Sequence, residues 1–165
     1  SELSIDIPNY EFIEDKIVID SLTIDFVRLS HDVKEILGYI FMEDEKKLVY
    51  ITDTGYINRK YFDKLSNADC YVIESNHDVE MLMNGRYQYY TKIRIVGDKG
   101  HLSNEKSSEF ISEVIGKHTK NIILIHLSEE NNTKELARNS LESRIHGASN
   151  IYISTQKERT DLITV

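Results

Sequence analysis

Four apolar stretches of the 165-residue chain each run directly into a residue able to bind a metal or move a proton. Leu22 to Leu29 leads into Ser30-His31-Asp32, and Leu48 to Ile51 into Thr52-Asp53-Thr54-Gly55. Tyr71 to Ile73 leads into Glu74-Ser75-Asn76-His77-Asp78, and Ile122 to Ile125 into His126-Leu127-Ser128. Layered α/β folds build their sites at strand ends. If three of these strands share a direction, His31, Asp53 and His126 converge on one rim. Two imidazoles and a carboxylate suit Zn²⁺ or a similar first-row metal. Taken singly, each also reads as a hydrogen-bonded surface or capping residue.

Other chemistries are weaker. Ser30-His31-Asp32 holds the residue types of a nucleophilic triad, but neighbours on an extended chain point to opposite faces and cannot bond in series. Asp53-Thr54-Gly55 is the aspartic-protease tripeptide, yet a single copy needs a symmetric dimer to bring two aspartates together. Cys70 lies inside an apolar strand and reads as a buried, inert thiol. Gly97-Asp98-Lys99-Gly100-His101 has too few glycines for a dinucleotide loop, but offers His101 and backbone N–H groups to an anion. From Arg86 to Lys99, four basic residues (Arg86, Lys92, Arg94, Lys99) face one acid, Asp98, and interleave with Tyr87, Tyr89 and Tyr90. That combination stacks bases and tracks a phosphate backbone. It equally describes a solvated helix whose tyrosines pack on the core.

The elements that position these residues follow from periodicity. Strands are expected at Lys16 to Ile19, Leu22 to Leu29, Ile36 to Met42, Lys47 to Thr52, Cys70 to Ile73, Ile122 to Ile125 and Asn150 to Ser154. Helices are expected at Asn58 to Leu65, Asp78 to Met83, Asn104 to Ile115 and Thr133 to Ile145. Ser103 is placed to cap the third helix, and Asn132 the fourth, with Glu135 as its capping-box partner. Antiparallel strands followed by alternating strand and helix give an α+β class with a mixed sheet and helices on at least one face. Residues 1 to 165 read as one domain or part of one.

Composition agrees with a globular domain, at 40% hydrophobic and 29% charged with one proline. A chain this long buries about 70% of its unfolded surface. Its longest apolar runs are too short to span a bilayer, so no membrane partner is expected. A lone cysteine suits a reducing, cytoplasmic setting and excludes a disulfide scaffold. The net charge of −8 disfavours nucleic-acid binding over the whole surface but leaves room for a local patch.

Taken in order, the motifs resemble the metallo-β-lactamase superfamily, and in particular its YycJ/WalJ-like branch. The matching strings are Ser30-His31-Asp32, Gly38-Tyr39-Ile40, Thr52-Asp53-Thr54-Gly55-Tyr56, Glu74 to Leu82, Gly100 to Glu105, and His126-Leu127-Ser128 with Glu130-Asn131-Asn132. The resemblance implies an αββα sandwich with two divalent metal ions, Zn²⁺ or Mn²⁺. It implies a hydrolase of phosphodiesters, a nuclease with exonuclease-like action on DNA or RNA. By motif, His31 corresponds to a histidine ligand of the first metal, Asp53 to the carboxylate bridging both, and His126 to the histidine of the second. His101 corresponds to the histidine that assists at the scissile phosphate, and His77 is placed near the metals. Arg86, Lys92 and Arg94 are the candidates to receive the polynucleotide. The family's His-x-His-x-Asp-His signature is missing, since all six histidines are isolated. The chain is therefore expected to be the C-terminal part of a longer enzyme, with weak or no metal binding alone. It is expected to have an apolar sheet face that a second copy or the missing half covers.

Overall fold

A computed structural model of the chain describes residues 16–147, 149–157 and 162–165. Seven strands form one sheet in sequential order: β1 (Ile17–Ile19), β2 (Leu22–Arg28), β3 (Leu37–Glu43), β4 (Lys46–Ile51), β5 (Cys70–Glu74), β6 (Asn121–Ile125) and β7 (Asn150–Ile153). The first three pairings are antiparallel and the last three parallel. β2, β4, β5 and β6 consequently all run the same way. Their C-terminal ends lie on one rim, which meets the condition for His31, Asp53 and His126 to converge.

The helices are a short 3₁₀ turn at Arg59–Tyr61 continuing into α1 (Phe62–Leu65), then α2 (Val79–Asn84), α3 (Tyr89–Val96), α4 (Asn104–Val114) and α5 (Lys134–Glu142). Ser103 caps α4 as its sequence suggests, its side chain accepting from the Lys106 N–H. Thr133, not Asn132, caps α5, accepting from the Leu136 N–H. Asn132 is instead drawn inward by buried partners described below. α3 falls in the basic, tyrosine-rich segment and is the solvated helix that the sequence allows there, but Tyr89 and Tyr90 do not pack on the core. It exposes tyrosines and buries a lysine, so its sequence lacks the usual apolar inner stripe.

Register fixes the two sheet faces. One carries Val27, Ile40, Val49, Ile51, Tyr71, Ile73, Ile122 and Leu124, packed against Leu65 of α1, Phe110, Ile111 and Val114 of α4, and Ala137 and Leu141 of α5. The other carries Phe26, Phe41, Leu48, Val72 and Ile123. These are half-buried and none joins the core cluster. Among the described residues no helix is long and apolar enough to cross a membrane.

Tyr71 ties the core to its helices. Fully buried on β5, its hydroxyl donates towards the carbonyls of Leu65 (2.9 Å) and Val114 (2.9 Å), and accepts from the Ala68 N–H (3.2 Å). Tyr71→Phe leaves the Ala68 N–H and the Leu65 carbonyl without that partner in an apolar setting, while the Val114 carbonyl keeps the Asn67 N–H. A loss of about 1–3 kcal/mol is expected, read as a lowered urea midpoint with an unchanged slope.

Candidate metal centre

Hydrogen bonds between the loops beyond the strand ends gather the rim into a cleft. After β2, the Ser30 carbonyl accepts from the Gly55 N–H at 3.0 Å, tying that loop to the one after β4. After β5 and β6, the Ser128 N–H donates to the Asn76 carbonyl at 2.8 Å, and Asn76 Nδ2 donates to the His126 carbonyl at 2.9 Å. Two glycines allow the segment before His101 to close in. A Cβ on Gly55 would overlap the backbone of Gly97 and Asp98, and one on Gly100 would overlap the Ile95 carbonyl. The N–H groups of Gly100 and His101 donate to Gly97 and Ile95, so this turn offers neither of them to an anion.

Beneath the cleft lies a buried amide pair. Asn104 Nδ2 donates to Asn132 Oδ1 (2.8 Å) while Asn132 Nδ2 donates to Asn104 Oδ1 (2.9 Å). Asn132 Nδ2 also lies 2.8 Å from the Ser75 carbonyl. The start of α4, the approach to α5 and the loop after β5 are thereby locked together. Sequence patterning does not signal these asparagines as interior, because polar residues are buried only when tertiary partners meet them.

Glu74 organises the site above. It is fully buried, and its Oε1 accepts from His101 Nδ1 at 2.6 Å and from His126 Nδ1 at 2.7 Å. Its Oε2 accepts from the Thr54 N–H at 3.0 Å. Burial works against ionisation, but the hydrogen bonds from both histidines outweigh it and hold the Glu74 carboxyl below its ordinary value. The same carboxylate raises the His126 imidazole above its ordinary value. A carboxylate oxygen accepts only, so each ring carries its proton on Nδ1 and turns Nε2 outward. His31 also engages its Nδ1, with the Gly100 carbonyl at 3.0 Å, but its Nε2 lies against Asp32.

Asp53, Glu74, His101 and His126 bring their ligand atoms within 4.8 Å of one another. His126 Nε2 lies 3.7 Å from Asp53 Oδ1. Of the residues expected to ligate, Asp53 and His126 belong to this group. His31 lines the same cleft, of about 550 Å³, with its ring 5.0 Å from that of His101 and its Nε2 facing Asp32 Oδ1 at 3.3 Å. His31 and Asp32 meet because the chain bends at this point instead of running extended, so that premise for setting aside a triad does not hold. Ser30 nonetheless enters the network through its backbone. Asp53 (φ 57°) and His126 (φ 60°) both adopt the left-handed conformation just beyond their strands. Each costs about 1 kcal/mol or more, and such strain concentrates at functional sites.

The sequence noted Glu74 as a strand end without giving it a role. An acid closing a strand otherwise buried on all sides was the available signal. His77 lines the cleft at 1% exposure with neither ring nitrogen hydrogen-bonded among the described residues. The candidate polynucleotide contacts are all engaged within the chain. Arg86 pairs with Glu130, and Arg94 Nε with Asp32 Oδ2 at 2.9 Å. Lys92 is buried, its Nζ donating to the Met83 and Gly85 carbonyls at 2.7 Å each.

The family described as beta-lactamase superfamily domain matches residues 8–127. This chain belongs to the metallo-β-lactamase superfamily. Exodeoxyribonuclease WalJ of Streptococcus pneumoniae is 46% identical over 117 residues, covering 71% of this chain and 44% of that protein. Exodeoxyribonuclease YycJ of Bacillus anthracis is 47% identical over 113 residues, 68% of this chain and 43% of that protein. The chain thus spans less than half the length of these relatives and resembles the WalJ/YycJ branch. Among solved structures, the metallo-β-lactamase fold protein YhfI of Bacillus subtilis aligns with a TM-score of 0.62 at 15% identity, over 86% of this chain and 50% of that one. The metallo-β-lactamase fold implies divalent metal, and outward Nε2 atoms beside a carboxylate are a donor set that fits one.

Burial pushes the His77 imidazole down from 6.5 to about 4. Between those values the unfolded chain binds the proton and the folded chain does not. Stability therefore falls as pH drops through this window, by roughly 3 kcal/mol in all. Urea midpoints taken at about pH 7 and about pH 5 should diverge more for the native chain than for His77→Phe.

Proposed function

We propose that this chain carries part of the active centre of a metal-dependent phosphodiesterase, a nuclease degrading DNA from its ends. The observation that supports this most is the shared Glu74 oxygen, which presets two imidazoles with Nε2 towards the cleft. The names of the WalJ and YycJ relatives support the polymer and the exonuclease mode. His31, Asp53 and His126 hold the metals, Zn²⁺ or Mn²⁺ and two in the complete enzyme. When bound, such ions supply Lewis acidity at phosphate oxygens and a nucleophile at neutral pH. His101 takes a proton at its bare Nε2 and passes it to the leaving oxygen, while Glu74, accepting from Nδ1, keeps its ring oriented. His77 supports the cleft wall behind it. Arg86 and Arg94, at the cleft edges, exchange Glu130 and Asp32 for strand phosphates, and Lys92 holds the helix that carries Arg94.

A second reading is favoured by two observations: no His-x-His pair exists in the chain, and one sheet face carries half-buried apolar residues that stay outside the core cluster. On this reading the chain alone is catalytically silent and associates through that face, with a second copy or with further polypeptide of the kind the longer relatives possess. A structural Zn²⁺ site takes four protein ligands and a catalytic one three. His31, Asp53 and His126 cannot meet that for two ions, so weak metal uptake is expected from the chain alone.

Supplied with excess Mn²⁺ or Zn²⁺, the protein is expected to shorten 5′-labelled single-stranded DNA. Asp53→Asn and His126→Ala should abolish the activity. Glu74→Gln should lower metal affinity about 10- to 100-fold while leaving the outward donor atoms in place. Intact DNA alongside a light-scattering mass above that of one chain would select the second reading.

A further inference from the structure

α3 is built inside out. Lys92 faces inward, where its ammonium closes the carbonyl end of α2 through Met83 and Gly85. Tyr89 and Tyr90 face outward at 73% and 79% exposure, with Ile93 also exposed beside them. Tyr89 and Ile93 are one turn apart, as are Tyr90 and Arg94, so they share the outer surface of the helix. Among the described residues neither tyrosine has a ring or hydrogen-bond partner. Two adjacent aromatic rings left in water are unusual on a surface that does not use them.

The position of this surface is not arbitrary. Tyr87, two residues before Tyr89, lines the metal cleft, and so does Ile95 at the far end of the same helix. Two residues span at most about 7 Å of chain, so the backbone that carries the two rings begins at the cleft edge, although the rings themselves do not line the cleft. The segment is fastened on both sides, by Arg86 just before the helix and by Arg94 in its last turn. Arg86 pairs with Glu130, itself a cleft residue, and Arg94 pairs with Asp32, the neighbour of His31. These ion pairs hold α3 at a fixed distance from the site. They also engage two of the segment's four basic side chains, leaving Lys92 and Lys99 without an ion pair among the described residues.

We propose that Tyr89 and Tyr90 form a stacking platform for the unpaired nucleobases that flank the scissile phosphodiester, which makes the site selective for single strands and frayed ends. This deepens the phosphodiesterase reading and rests on it. The occupant is a polyanion with flat rings attached, since exposed aromatic rings, a basic segment and a phosphodiester cleft are continuous here. An acidic peptide matches the charge but brings no rings. Bases inside a duplex have both π faces occupied by their neighbours, so only unpaired bases reach the tyrosines. Because Arg86 and Arg94 must give up Glu130 and Asp32 before they meet phosphate, stacking contributes more of the net affinity here than phosphate neutralisation does.

The test compares a short oligothymidylate with an abasic strand of equal length, by fluorescence anisotropy, on the 165-residue chain. The thymidylate is expected to bind about tenfold tighter or more. Tyr89→Ser with Tyr90→Ser should bring it down to the abasic level, while Tyr89→Phe with Tyr90→Phe retains the difference. Equal binding of the two strands, binding of neither, or indifference to the serine pair would overturn the platform. A fall in light-scattering mass on making the serine pair would also overturn it, since the rings would then be a self-association face. Hydrolysis of bis(p-nitrophenyl) phosphate, which carries no nucleobase, reports the phosphodiesterase reading separately. Turnover of that ester without base preference leaves that reading standing and removes the platform, and base preference without turnover does the reverse.

Discussion

A buried carboxylate is tolerable only when its charge is met from several sides, and Glu74 is the group on which the rest of the rim depends. One of its oxygens accepts hydrogen bonds from His101 and His126, and the other accepts from a backbone N–H in the loop of Asp53. Three segments that are distant in sequence are therefore bound to a single side chain at the end of β5. The same bonds that satisfy Glu74 settle which nitrogen of each imidazole is bare. Structural economy and chemical presetting are one arrangement here.

That arrangement requires the chain to turn sharply at each strand end. His126 enters the left-handed region immediately beyond β6, and Asp53 two residues beyond the end of β4, a conformation these residue types tolerate better than branched ones. Gly55 and Gly100 let the turn before His101 press against the loop after β4, where any side chain would force them apart. The Asn104–Asn132 amide pair then braces the floor from below. Strain at the rim is held by a rigid parallel core beneath it, which is why strand ends serve as sites in folds of this kind.

The two sides of the sheet divide the labour. One is covered by α1, α4 and α5 and supplies the core. The other offers half-buried Phe26, Phe41, Leu48, Val72 and Ile123, which stay outside the core cluster. An apolar face of this kind has a natural use as a contact surface. α3 adds a different departure, with a lysine inside and tyrosines outside. Its two ion pairs fix it beside the cleft while its outer surface stays free for contact.

The sequence by itself determined all seven strands to within a residue or two, because period-two alternation and buried apolar runs are local signals. It also determined that His31, Asp53 and His126 follow strands, and the parallel run from β4 to β6 then brought the last two together. Tertiary structure alone decided the rest. Glu74 became the organiser because its partners lie 27 and 52 residues away. Asn132 turned inward because Asn104 and the Ser75 carbonyl were there to receive it, leaving Thr133 to cap α5. The segment of α3 reads in sequence as either a basic, aromatic contact or a solvated helix with its tyrosines on the core. Folding decided for a helix held by Lys92 reaching two carbonyls and by ion pairs, with the tyrosines outside. Partners brought together only by folding leave no periodic trace in the chain, and that is the physical limit on what its order of residues discloses.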